Sequence, residues 1–119
     1  MPIQDLPKVE YNLTAADTIY SDVLEMVQDG IKSTEATVHL TEVTGTAFTI
    51  NITPQYSYDK LQWFDAPVAN SFVEIDNNNI VDYAETVVFS LGRYVRYKFV
   101  IAGADIDVVL DFYAVAKSN

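Results

Sequence analysis

The sequence predicts an all-β fold: one antiparallel β-sandwich, jelly-roll-like, with an extended N-terminal arm. Three observations carry this. Apolar residues recur at every second position in several runs, as in Val95, Tyr97, Phe99 and Ile101, which is the period of a half-buried strand. Turn-forming residues punctuate the runs, as in Thr44-Gly45-Thr46 and Asp76-Asn77-Asn78-Asn79; Asn tolerates left-handed backbone angles. The chain has 119 residues, half of them apolar, which suits a single domain with a single core.

The elements follow in order. Pro2 and Pro7 mark residues 1–7 as an extended arm, because proline disfavours helix in the residue before it. Residues 8–119 form the sandwich domain. Such an arm is either a disordered end or a segment that docks on a neighbouring subunit, and in the second case Ile3 and Leu6 are its apolar contacts. Val9, Tyr11 and Leu13 alternate with polar residues as a strand does. The segment from Thr18 to Val27 is ambiguous. Ile19, Val23, Leu24 and Val27 fit helical turns, whereas Tyr20 and Val23 fit the start of a strand. The turn signal Asp29-Gly30 favours strand or irregular structure.

From Ala36 the pattern is clear. Val38 and Leu40, then Phe48, Ile50 and Ile52, alternate with Thr, His and Asn. They predict two half-buried antiparallel strands, the second closed by Pro54. Residues 55–70 read as a long connection. Phe72, Val73 and Ile75 read as a short strand, and Ile80-Val81 as another extended piece. Three long strands finish the domain. Their inward sets are Val87, Phe89 and Leu91, then Val95 to Ile101, then Ile106, Val108, Leu110 and Phe112. Gly92 breaks the first.

Between the last two lies Ala102-Gly103-Ala104-Asp105, whose Gly103-Ala104 suits a type II′ hairpin turn. That register sets Phe99 opposite Val108, Tyr97 opposite Leu110 and Val95 opposite Phe112. On the other face it sets Arg96 opposite Asp111 and Tyr94 opposite Tyr113. Cross-strand pairs of this kind contribute roughly 0.2–1 kcal/mol each.

Composition excludes several function classes. Seventeen acidic residues against seven basic ones give a formal charge of −10. Such a field repels phosphate, so neither nucleic acid nor an anionic membrane is an expected partner. It serves solubility, or it meets a basic partner surface or a cation. Cysteine is absent, which removes disulfide, zinc–thiolate and thiol-nucleophile chemistry. No apolar run approaches the roughly 20 residues of a membrane-spanning helix. Met1-Pro2-Ile3-Gln4-Asp5 has neither the basic start nor the apolar stretch of a signal peptide.

Motifs for chemistry are missing as well. The sequence contains no G-x-S-x-G, H-E-x-x-H, glycine-rich phosphate loop or EF-hand loop. Its one histidine, His39, has outward parity on a strand and no acid or nucleophile beside it in sequence. Asp59 and Asp65 flank Trp63, but two acids near one loop are expected by chance in so acidic a chain. Asp105, Asp107 and Asp111, and the Asp76 turn, lack a recognised calcium spacing. The expectation is a protein that binds rather than catalyses, with no catalytic residue, cofactor or metal ligand.

Two features point to binding. Tyr56, Tyr58, Trp63 and Phe64 crowd one loop. They can stack on sugar rings, cap one end of the sandwich, or anchor a protein interface, where Trp and Tyr are enriched. Arg93, Arg96 and Lys98 interleave with Tyr94 and Tyr97 to give a basic, aromatic strand on an acidic body. They either pair within the sheet or make a charge-complementary contact with another subunit.

A Thr-rich strand pair, the segment Ser57-Tyr58-Asp59-Lys60-Leu61-Gln62-Trp63, the strand Arg93-Tyr94-Val95-Arg96-Tyr97-Lys98 and the final Asp107-Val108-Val109-Leu110 together resemble small β-sandwich proteins of tailed-bacteriophage virions. Many of these are capsid decoration, or cement, proteins; others are tail or adsorption proteins. The resemblance spans residues 36–116. The chain departs from the family pattern at Asp59-Lys60, where a glycine is usual, and at Ala102-Gly103-Ala104-Asp105, where Ser/Thr-Gly is usual. The resemblance implies a non-enzymatic protein on the capsid exterior that binds the major capsid protein, commonly as a homotrimer. The alternative is a carbohydrate- or receptor-binding sandwich of a tail or a secreted protein.

Overall fold

The structure is a computed structural model, and it describes residues 5–26, 33–90 and 92–117. It is all-β, as the sequence predicts. The strands are β1 (Asp5–Leu13), β2 (Asp17–Tyr20), β3 (Leu24–Glu25), β4 (Ser33–Val43), β5 (Ala47–Ser57), β6 (Phe64–Asp65), β7 (Ile75–Asp76), β8 (Ala84–Phe89), β9 (Tyr94–Asp105) and β10 (Val108–Lys117). One short 3-10 turn, Val68–Asn70, lies between β6 and β7.

The strands form two antiparallel sheets packed face to face. Sheet A has the order β1-β10-β4-β8. Sheet B has the order β2-β9-β5-β6, with β3 continuing the β2 edge along β9 and β7 continuing the β6 edge along β5. Apart from the steps from β2 to β3 and from β5 through β6 to β7, each connection takes the chain from one sheet to the other. This is the double Greek key of a jelly roll.

The alternation predicted for the long strands is present. Val95, Tyr97, Phe99 and Ile101 on β9, and Val108, Leu110 and Phe112 on β10, are all buried. So are Val38, Leu40, Phe48, Ile50 and Ile52. Phe112 of sheet A meets Tyr97 and Phe99 of sheet B edge to face, with ring centroids 5.1 and 5.0 Å apart. Phe72, from the loop before β7, closes on the same ring at 6.3 Å.

The hairpin between the last two strands does not form. β9 lies between β5 and the β2/β3 edge, and β10 lies between β1 and β4. Their inward sets therefore face each other across the sandwich instead of lying side by side. Parity is the same in either arrangement, so alternation alone could not distinguish them. Arg96 stands opposite Gln55, and Tyr94 opposite Ser57. Asp111 is flanked by His39 and Glu10, and Tyr113 pairs with Thr37. Gly103 is not in a turn. It continues β9 at φ +139°, with its Cα against the backbone of Ala47 and Phe48.

Four other expectations change. Pro54 does not close its strand; β5 runs on to Ser57. The Pro54 carbonyl accepts from the Ala66 N–H at 2.8 Å. A strand residue directs its N–H and C=O to the same side, so the missing N–H faces away from the ladder with β9. Residues 5–7 belong to the sheet rather than to an arm: Asp5 pairs with Val115 and Leu6 with Ala114, before a bulge at Pro7 and Lys8. Ile80 and Val81 lie in and beside a turn and are exposed, and Phe72 and Val73 are outside any strand. Residues 1–4 with Pro2 and Ile3, Val27, the Asp29-Gly30 turn and Leu91 lie outside the described residues.

The β4–β5 and β9–β10 crossovers are laced together. The N–H groups of Thr44 and Gly45 both donate to the Asp107 carbonyl at 2.9 Å. The Thr46 hydroxyl donates to the Asp105 carboxylate at 2.6 Å and its backbone N–H donates at 3.1 Å. The hydroxyl first, then the N–H, hold Asp105 below the usual carboxylate range. A Cβ on Gly45 would lie 2.6 Å from both the Asp105 carbonyl oxygen and the Asp107 nitrogen. Gly45→Ala is expected to cost about 1–3 kcal/mol of stability, read as a lower urea midpoint at unchanged slope.

Among the described residues, Tyr97 is the largest fully buried side chain, and it carries a polar group. Its hydroxyl meets the Thr34 hydroxyl at 2.8 Å, and Thr34 donates to the Phe89 carbonyl at 3.3 Å. Burial pushes the Tyr97 phenol from 10.0 up to about 12. The folded state thus favours the neutral phenol. That stabilisation is complete below the unfolded value of 10.0 and is lost as pH rises through about 12. Burial also raises Tyr11 and Tyr83. The urea midpoint is expected to fall over this alkaline window, and Tyr97→Phe to remove the largest part of the fall.

Candidate functional site

Because inward residues alternate with outward ones, burying Val95, Tyr97 and Phe99 turns Tyr94, Arg96 and Lys98 onto the outer face of sheet B. Gln55 and Ser57 of β5 share that face, and so does Tyr20 of β2, which stands opposite Lys98. Trp63 reaches it from the loop that precedes β6.

Arg96 is the centre of this face. Its guanidinium carbon lies 4.1 Å from the Tyr20 ring centroid and 4.3 Å from the Trp63 ring centroid. Its Nε donates to the Gln55 side-chain oxygen at 2.8 Å, and the Gln55 amide donates to Asp65 Oδ1 at 2.8 Å. Lys98 Nζ lies 3.3 Å from the same Asp65 oxygen. The Gln55 hydrogen bond, then Lys98, hold Asp65 below the usual carboxylate range. Gln55 is itself buried, so it stands as a neutral spacer between Arg96 and the nearest acid in the network.

A tight loop delivers Trp63. The buried Ser57 hydroxyl accepts from the N–H groups of Asp59 and Lys60 at 3.2 and 2.9 Å and donates to Asp59. Asp59 Oδ1 accepts from Leu61 and Gln62 N–H at 2.8 and 3.0 Å. The Gln62 and Leu61 donors hold Asp59 below its ordinary value. Lys60, in the left-handed region at φ +66°, turns the chain. Its Nζ donates to Glu25 at 2.8 Å, which raises its pKa, and lies 4.7 Å from the Tyr94 ring centroid.

The structure divides the residues that sequence reasoning grouped. Trp63, Arg96 and Lys98 share the outer face of sheet B. Tyr56, Tyr58 and Phe64 form a second aromatic group: Tyr56 lies 5.5 Å from Phe64, 6.1 Å from Tyr58 and 5.9 Å from Phe89. That group links sheet B to sheet A, with Tyr58 and Phe64 about half exposed. Arg93 is exposed; its backbone N–H donates to the Ser57 carbonyl and its carbonyl accepts from Met26. Leu6 belongs to the core and lines a cleft of 260 Å³ with Val9, Tyr11, Tyr20 and Phe112. Ile3 lies outside the described residues. Sequence reasoning missed Tyr20 as a site residue. The available signal was its parity opposite the apolar Ile19, which was hidden by the helix-like spacing of Ile19, Val23 and Leu24.

The remaining candidates for chemistry are committed elsewhere. His39 Nε2 meets Asp82 at 3.1 Å on an exposed part of sheet A. Asp59 and Asp65 are both shifted down, whereas a glycosidase acid needs an upward shift. Among the described residues, no three of His, Asp and Glu come together as a metal site. No protein-family profile matches the chain, and no curated protein is significantly similar to it in sequence.

The stacking of Arg96 on Trp63 predicts a measurable coupling. In a double-mutant cycle with Arg96→Ala and Trp63→Ala, the coupling free energy in urea unfolding is expected to be about 0.5–2 kcal/mol. Trp63 is the only tryptophan, so its emission also reports whether Arg96 is in place.

Proposed function

We propose that this chain is a non-enzymatic structural protein of a phage virion: a decoration protein that binds the major capsid protein on the head exterior, as a trimer, and stabilises the shell. The observation that carries this reading is the outer face of sheet B, where Arg96 is stacked against two aromatic rings on a rigid sheet. Arg, Trp and Tyr are the residues that dominate protein interfaces, and holding them in place before contact lowers the entropic cost of docking. The jelly-roll topology and the resemblance of residues 36–116 to virion sandwich proteins support the same reading. The acidic remainder of the surface suits an exterior position facing solvent. Each docked copy adds buried area across joints that packaged DNA puts under strain.

A second reading, binding of glycans, draws on the same rings: Tyr20 and Trp63 flank one exposed site. A sugar needs an open ring face, and Arg96 already lies over one face of each ring.

The test is direct. Purified chain mixed with phage heads that lack it is expected to co-sediment with them and to raise the temperature at which they release DNA. Light scattering, or stoichiometry on the head, is expected to give three chains per site. Failure to bind heads, together with quenching of Trp63 by a neutral oligosaccharide, would replace this reading with the glycan one.

A further inference from the structure

The charges of this protein are paired unevenly. Each described lysine reaches a carboxylate: Lys8 to Asp111 at 3.9 Å, Lys60 to Glu25 at 2.8 Å, Lys98 to Asp65 at 3.3 Å and Lys117 to Glu35 at 2.9 Å. Among the described residues neither arginine does. This holds in a chain with ten more acids than bases. Arg93 is simply exposed. Arg96 is half-buried and fixed from three sides, by Tyr20, Trp63 and the Gln55 side-chain oxygen.

A guanidinium has five N–H donors. Gln55 takes the one on Nε, so the four on the two terminal nitrogens remain for a ligand. Those four form the planar fork that matches a carboxylate. The nearest internal candidate, Asp65, is held by Gln55 and Lys98 instead. Gln55 thus keeps the site's own acid off the arginine while orienting it.

We infer that Arg96, set between Tyr20 and Trp63, is a receptor for one carboxylate, an Asp or Glu side chain of the protein partner. One uncompensated guanidinium matches one negative charge. A phosphate dianion would add a second charge beside Asp65 on an already acidic body, and a nucleic acid would add many. An Arg beside Tyr and Trp is the residue set enriched at protein–protein contacts, which favours a peptide over a sugar acid. This inference rests on the reading of this face as the docking face.

The probe is acetyl-Ser-Glu-Ser-amide, with its Gln counterpart as control and galacturonate as the acidic-sugar arm. Binding is read from Trp63 emission and from the NMR signal of the Arg96 Nε–H. The Glu peptide is expected to give a saturable change in both, and the Gln peptide none. Arg96→Gln is expected to weaken binding about tenfold or more. Arg96→Lys, which keeps the charge and loses the fork, restores only part of it and serves if Arg96→Gln does not fold. No response to the Glu peptide, or an equal response in the Arg96→Gln chain, overturns the inference. A response to galacturonate alone overturns the assignment to a protein ligand. Loss of head binding with an intact peptide response overturns the decoration reading and leaves this one standing.

Discussion

The contact between Phe112 and the pair Tyr97 and Phe99 is the constraint on which the rest of the molecule depends. It joins an inner strand of one sheet to an inner strand of the other. Aromatic side chains bury about 150–250 Å² each and gain from edge-to-face contact. With these rings in register, β9 and β10 have their inward faces set, and every neighbour that hydrogen-bonds to them inherits that setting. Tyr97 adds a polar constraint at the same place. Its hydroxyl must find Thr34, which places the start of β4 and, through the Phe89 carbonyl, the end of β8.

The same packing builds the outer face of sheet B. A strand that buries Val95, Tyr97 and Phe99 cannot slip by one residue without sending them into water. Arg96 is therefore presented outward by the core rather than by its own preferences. Its surroundings then remove its remaining freedom. Ser57 and Asp59 wind the loop that brings Trp63 over it, β2 brings Tyr20, and Gln55 takes its Nε–H. The result is a charged side chain as well positioned as a core residue, yet still open to a partner.

Much of this fold was legible in the sequence because strand parity is local. The inward sets of β4, β5, β9 and β10 follow from period two alone, and the all-β sandwich follows from them. Pairing partners were not legible. A glycine-bearing connection such as 102–105 reads as a hairpin turn, and the same residues also serve as a continued strand and a crossover. Which of these forms depends on whether Phe112 packs beside Val95 or across from Tyr97, a tertiary choice that no local pattern encodes. Pro54 misled for a related reason: its missing N–H falls on the β6 side of β5, next to the two residues that β6 pairs with, so the long ladder with β9 is unbroken. For the site, the residue types were legible, and Trp63, Arg96 and Lys98 do share a face. Their grouping with Tyr56 failed because it sits between Gln55 and Ser57 on β5 and so points to the opposite side, and Tyr58 and Phe64 pack on Tyr56. The link to Tyr20, 76 positions from Arg96, is a product of topology.

The pairing of β1 with β10 has a consequence for how the domain comes into being. During synthesis, the first strand of sheet A waits for the last, and β4 has only β8 beside it until β10 arrives. β2 and β3 likewise wait for β9. A nascent chain therefore carries unpaired strand edges until the domain has nearly cleared the ribosome, and such edges are templates for association with other chains. The surplus of ten negative charges is then useful before any partner is met. It keeps half-made copies apart during the interval when their edges are open.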